Sequence, residues 1–238
     1  MKIARTVIFL LAMVLSTNLF AQQATRETTV EDEYLSSVEG VIIRELSQAD
    51  DRDNKFVSLQ YIEDALNAGR TSPDIQAALD SLAGEGITTQ SRTNGRLVNN
   101  FPDVRRKACE LLGKVPTEES KNTLVQVTLA DNEPVVVAAA VRSLGEIGIN
   151  DNNEVVEAII WAQKKYATLN PTSSLAFEIL NAFEALADTV QDKAPMIQSI
   201  SAIASNYTYA TPVRTKAYDL LKTLTGKSTS SSSSSTVK

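Results

Sequence analysis

The chain has 238 residues, 43% hydrophobic and 22% charged, with 23 basic against 29 acidic side chains, one cysteine and no histidine. The missing imidazole removes His-based general bases, His-containing metal sites and the usual neutral-pH switch, and a single cysteine forms neither an internal disulfide nor a thiolate cluster. The acidic balance speaks against binding a phosphate backbone, so no nucleic-acid partner is expected.

The chain opens on Met1-Lys2-Ile3-Ala4-Arg5, a basic start, and continues with an apolar run from Thr6 to Leu15. This is the layout of a cleavable signal peptide, expected over 1–21 with the cut after Ala21. The run is shorter than the ~20 apolar residues that a spanning helix needs. No cysteine follows it to carry a lipid. Export to a periplasmic or secreted location is therefore expected, with no membrane insertion after cleavage. Residues 22–32 are polar and aperiodic, as in a linker.

A helix is predicted from Glu33 to Leu46, where Leu35, Val38, Ile42, Ile43 and Leu46 recur at helical spacing. A second runs from about Lys55 to Asn67, with Phe56, Leu59, Ile62 and Leu66 on one face. Ser72-Pro73 supplies an N-cap and a first-turn proline for a third helix, which ends before Gly84-Glu85-Gly86. Residues 87–101 have no helical period, and Asn94-Gly95 stands there between β-formers. An ordered insertion loop with a small hairpin is expected.

From Pro102 onward the helices repeat. Pro102, Val104, Ala108, Leu112, Gly113 and Val115 reappear 32 residues later as Pro134, Val136, Ala140, Leu144, Gly145 and Ile147. Val104-Arg105-Arg106-Lys107-Ala108-Cys109-Glu110-Leu111-Leu112 aligns with Val213-Arg214-Thr215-Lys216-Ala217-Tyr218-Asp219-Leu220-Leu221. A further apolar helix is expected over Ser174 to Leu186, with second helices near 118–130, 152–168 and 194–206. Helix pairs at this period signify an all-α solenoid, because each pair has an apolar face too wide to bury alone. The expected solenoid covers 33–227, and the Ser-rich tail 228–238 is too polar to join it.

These residues resemble the HEAT-repeat (armadillo-like) family, including its short bacterial form also seen in phycobilin lyases. The resemblance rests on Pro102-Asp103-Val104-Arg105 with Leu112-Gly113, on Glu133-Pro134-Val135-Val136 with Leu144-Gly145, and on Pro212-Val213-Arg214. It implies a scaffold for protein contacts and carries no chemistry by itself. It also implies a ladder in which an Asp five residues before each Val-Arg pairs between repeats. Asp131 fits the acid and Arg105 and Arg214 fit the base, whereas Val137, Asn99 and Thr208 break the pattern.

The patterns that would carry chemistry fail at named positions. Gly226-Lys227-Ser228 lacks the glycine of a phosphate loop, since Leu221 stands in its place. Asp50, Asp51, Asp53 and Asn54 lack the glycine and glutamate of a calcium loop. Cys109 has no base to activate it and reads as a packed thiol. Glu154 and Glu157 read as a solvated helix face. No catalytic residue, metal site or cofactor is expected.

One helix suggests a contact surface. On 152–168, Val155, Val156, Ile159, Ile160 and Tyr166 form the apolar stripe, and Trp161 falls nearly opposite it, among Glu157, Lys164 and Lys165. A tryptophan among charges is the usual composition of a binding hot spot. Arg92, Arg96, Arg105, Arg106 and Lys107 add a local basic excess that suits an acidic partner or another copy of the chain. The sequence thus points to an exported, non-enzymatic scaffold that binds an unidentified protein of the cell envelope. The alternative is an enzyme-associated module, either a carboxylate-based hydrolase or a lyase-like relative.

Overall fold

A computed structural model describes residues 30–229. The expected signal segment 1–21 lies outside the described residues, as does most of the expected tail. Ten helices and one short hairpin are found among the described residues: α1 (Val30–Gln48), α2 (Arg52–Asn67), α3 (Pro73–Ala83), β1 (Arg92–Thr93), β2 (Arg96–Leu97), α4 (Pro102–Leu112), α5 (Glu118–Ala130), α6 (Pro134–Ile147), α7 (Glu154–Leu169), α8 (Ser173–Leu186), α9 (Ala194–Ser205) and α10 (Thr211–Thr229). Helix α1 begins inside the stretch expected as a linker, and α10 runs two residues into the expected tail. The chain divides into two units between Val38 and Glu39, within α1. The stacked architecture is that of the second unit.

Local chemistry sets the helix starts. Ser72 Oγ accepts from the Ile75 amide at 3.2 Å, with Pro73 in the first turn. Thr117 Oγ1 accepts from the Ser120 amide at 3.1 Å, and an Asp51 carboxylate oxygen accepts from the Asn54 amide at 3.1 Å. Each side chain satisfies one of the orphan donors of a first turn. Asp51 is thus a helix cap, and the acidic run 50–53 needs no ion to explain it.

Successive helices pack next but one. Helices α2, α4, α6, α8 and α10 form one row, and α3, α5, α7 and α9 form a second row antiparallel to it. This is the all-α solenoid that the repeat predicted. Ala108, Ala140 and Ala217 are fully buried.

Helices α6 and α8 approach each other closely. A Cβ built at Gly145 would sit 2.9 Å from the Ala182 backbone, closer than real Cβ contacts come. The Leu-Gly element of the repeat is therefore a packing requirement here, not a helix stop. Gly145→Val is expected to destabilise the chain by ~1–3 kcal/mol through overpacking. Thermal unfolding should register a fall in Tm of several degrees, and an unchanged Tm would mean that the helices separate without strain.

The outer surface of the first row carries ion pairs between consecutive helices. Arg52 pairs with Asp103, Lys107 with Glu63 at 2.7 Å, Arg142 with Glu110 at 3.5 Å and Glu178 at 3.9 Å, and Lys216 with Glu184 at 2.7 Å. Exposed pairs contribute little each, ~0–1 kcal/mol, so their value lies in register. Lys107 donates a hydrogen bond to Glu63 and holds its carboxyl below the usual carboxylate range. The native state therefore releases that proton more readily than the unfolded chain. The resulting stability is present above the ordinary carboxylate pKa and is lost as the pH falls through the lowered one. Glu63→Gln should flatten the acid side of the stability curve below pH ~4.5, read by urea unfolding at a series of pH values.

Candidate functional site

A chain of buried polar groups runs along the edge where second-row helices turn back into first-row helices. Arg105 on α4 is 2% exposed, and its Nε donates to the Asp131 carboxylate at 2.8 Å. Asp131 follows α5 directly and is also 2% exposed. Arg105 Nη1 donates to the Glu85 carbonyl at 3.1 Å and to Asn100 Oδ1 at 2.9 Å. Lys55 on α2 repeats the arrangement one step earlier. Its Nζ donates to the Glu85 carboxylate at 2.9 Å and to the Ser47 carbonyl at the end of α1 at 3.0 Å. Each cation thus grips the end of the helix before its own and a carboxylate after the next helix.

Asn99 completes this edge. Its amide nitrogen donates to Glu85 Oε1 at 2.8 Å and to the Thr89 carbonyl at 2.7 Å, while its oxygen accepts from the Ser91 amide at 2.9 Å. Gly86 has φ +74°, and a Cβ there would meet the Asn99 carbonyl at 2.5 Å, so the two ends of the 87–101 loop can close only over glycine. The tip is the expected hairpin. Arg92 pairs with Leu97 and Thr93 with Arg96. Asn94 and Gly95 take φ 52° and 79°, as a type I′ turn requires.

On the other side of Asp131 lies α7. The Asp131 carbonyl accepts from Tyr166 Oη at 2.8 Å and from Lys165 Nζ at 2.9 Å, and Asn132 Oδ1 accepts from the same ammonium at 3.2 Å. Burial pushes the Tyr166 phenol up to about 12, so it stays a donor. The Lys165 ammonium lies 5.0 Å from the Trp161 ring centre and 5.1 Å from that of Tyr166. Trp161 is 44% exposed. Its indole is therefore a surface aromatic held in place by a cation that is itself fixed to a loop. Glu157 and Lys164 flank it and are exposed, whereas Glu154 turns away and pairs with Lys121.

Residues 95–167 match the family model for HEAT repeats. That stretch, less than half of the chain, is built of HEAT repeats. No curated protein matches it in sequence. Among solved structures it is similar to the complex of CpcE and CpcF of phycocyanin lyase from Nostoc sp. PCC7120, at 18% identity and a TM-score of 0.56. That likeness covers 80% of this chain and 66% of the other, just under two thirds of its length. At this identity it is a likeness of fold.

Within the HEAT-repeat frame, the predicted contact residues fall into two places. Trp161, Glu157, Lys164 and Lys165 stand together on α7. Arg92 and Arg96 are exposed on the hairpin, with no contact between it and α7 among the described residues. The hydrogen bonds through Asn99, Glu85, Arg105, Asp131 and Lys165 join the two places indirectly. The basic excess read at 92–107 does not exist as a surface patch. Arg105 is buried in the ladder, Arg106 pairs with Glu110 at 2.8 Å, and Lys107 pairs with Glu63. Pattern reading missed Lys55, which has no valine before it. It stands in the first turn of its helix, but 50 residues before Arg105, outside the 32-residue repeat.

Cys109 is fully buried, and burial pushes its thiol well up, so it is inert as a nucleophile. Among the described residues no three His, Cys, Asp or Glu side chains gather to hold a metal ion. A groove of ≈ 580 Å³ lies along α10 between Glu184 and Thr223 and is open to solvent. What this edge offers is preorganised contact. Asp131→Ala leaves the Arg105 guanidinium buried without its carboxylate and is expected to cost ~3–5 kcal/mol. Urea unfolding should show it, and a loss under ~1 kcal/mol would mean that the guanidinium finds water.

Proposed function

We propose that this protein is a non-enzymatic adaptor that is exported and binds another protein of the cell envelope through the α7 face. The observation that carries the reading is Trp161, exposed yet fixed by Lys165 to the 131–132 loop. Binding costs rise with every side chain that must be ordered, and here the largest one is ordered beforehand. Glu157 and Lys164 supply charges of both signs around it, as the rim of a hot spot does. The hairpin arginines Arg92 and Arg96 extend the surface toward acidic groups on the partner. Export rests on the basic start and short apolar run at the N-terminus.

The test compares wild type with Trp161→Ala in affinity capture from an envelope fraction. Loss of a hot-spot tryptophan should weaken the specific partner by ~2 kcal/mol or more, about thirtyfold, while the fold is unchanged. An unchanged set of partners at unchanged affinity rejects Trp161 as the contact.

The likeness to a phycocyanin lyase complex favours a second reading, in which the chain is a module of an enzyme. On that reading, alanine at Glu154 and Glu157 abolishes turnover. On the adaptor reading, it changes affinity at most.

A further inference from the structure

We propose that the α10 end of the solenoid docks against the α1–α2 end of a second copy, so that copies stack head to tail. The ladder supplies the first observation. Arg214 occupies on α10 the place of Arg105 on α4, within the aligned segments Val104–Leu112 and Val213–Leu221. Arg105 is 2% exposed and bound to Asp131, whereas Arg214 Nε is buried with no hydrogen-bond partner. Its guanidinium lies over the exposed Tyr207 ring at 4.8 Å and reaches only Thr211 Oγ1, at 3.4 Å. A rung position is present without its carboxylate.

The same alignment shows which face is uncovered. Cys109 is fully buried where α6 covers α4, and its equivalent Tyr218 is 57% exposed. Leu112 is fully buried, and its equivalent Leu221 is only partly so. Among the described residues, no helix covers α10 on that side.

The α1–α2 end is complementary. Lys55 is the α2 counterpart of Arg105 by its two hydrogen bonds. In that register Tyr61 matches Leu111, which is fully buried, yet Tyr61 is 40% exposed. With Val57, Gln60 and Asp64 it lines an open groove of ≈ 290 Å³. Asp50 lies two residues beyond the end of α1, as Glu85 lies two beyond the end of α3, and it is exposed. A second copy would thus bring Asp50 to Arg214 as Glu85 is brought to Lys55.

Charge fits the same register. Between 30 and 53 the chain has eight acidic and two basic side chains, and between 207 and 229 it has one acidic and four basic. Inside the solenoid, Glu63 on α2 meets Lys114 beyond α4 at 3.5 Å. The α10 equivalent of Glu63 is Lys222, and the α2 equivalent of Lys114 is Asp64, so across the junction the pair recurs with its signs exchanged. A heterologous contact of this kind does not close on two copies and continues as an open stack.

Mass measurement of the purified chain by sedimentation over ~1–100 µM at low salt tests this. The wild type should exceed the monomer mass as concentration rises and return toward it at high salt. Arg214→Glu and Asp50→Arg should each weaken association by ~30-fold or more. An equimolar mixture of the two variants keeps one unaltered junction and sets the two reversed charges against each other at the other, so it should associate more than either variant alone. Lys222→Glu, on an exposed site, serves if Arg214→Glu alters the far-UV spectrum, and it too should weaken association. A wild type monomeric across the range overturns the proposal. So does association that neither Asp50→Arg nor Lys222→Glu weakens, or a mixture with no more dimer than its components.

Discussion

The buried bond between Arg105 and Asp131 is the constraint on which this polar edge depends. Two fully desolvated charges are tolerated only where every donor finds an acceptor. The guanidinium is satisfied by Asp131, the Glu85 carbonyl and Asn100, and the aspartate in turn anchors the start of α6 through the Glu133 amide at 2.9 Å. Because Asp131 must stay, its carbonyl is also fixed in space. That carbonyl is what positions Lys165 and Tyr166, and through Lys165 the indole of Trp161. A buried electrostatic requirement thus ends as the placement of a surface aromatic.

Along the two rows, register is secured by different means. Between α2, α4 and the helices behind them it is polar, through Lys55 and Arg105. Between α6 and α8 it is steric, since Val137 stands where a cation would and is fully buried, while Gly145 lets the Ala182 backbone come close. The exposed pairs of Lys107, Arg142 and Lys216 overlay both regions. Charge specifies the neighbour where the helices leave room for it, and shape specifies it where they do not.

Much of the fold was legible because it is periodic. The 32-residue echo of Pro102–Val115 in Pro134–Ile147 and the match of Val104–Leu112 to Val213–Leu221 both mark first-row helices, and Asn94-Gly95 marks the hairpin turn. Trp161 was legible from its angle on the helix. The first rung was not, because Lys55 and Glu85 are 30 residues apart and share no letters with Arg105 and Asp131. Their equivalence is geometric, one ammonium and one carboxylate doing what a guanidinium and an aspartate do elsewhere. The basic cluster misled for a related reason. Linear proximity of Arg105, Arg106 and Lys107 says nothing of the three directions in which a helix sends them.

The dry contact of Gly145 with Ala182 also bears on the order in which the chain acquires its structure. In a linear stack each element touches only near neighbours, so folding can begin wherever pairing is cheapest and spread from there. Helices α6 and α8 meet through small side chains, with only the part-exposed Arg142–Glu178 pair between them, and are close in sequence. The rungs at Lys55 and Arg105 demand that a charge be stripped of water before its partner arrives. The middle of the stack is therefore the natural seed, and the polar edge that carries Trp161 is set only after the seed has formed.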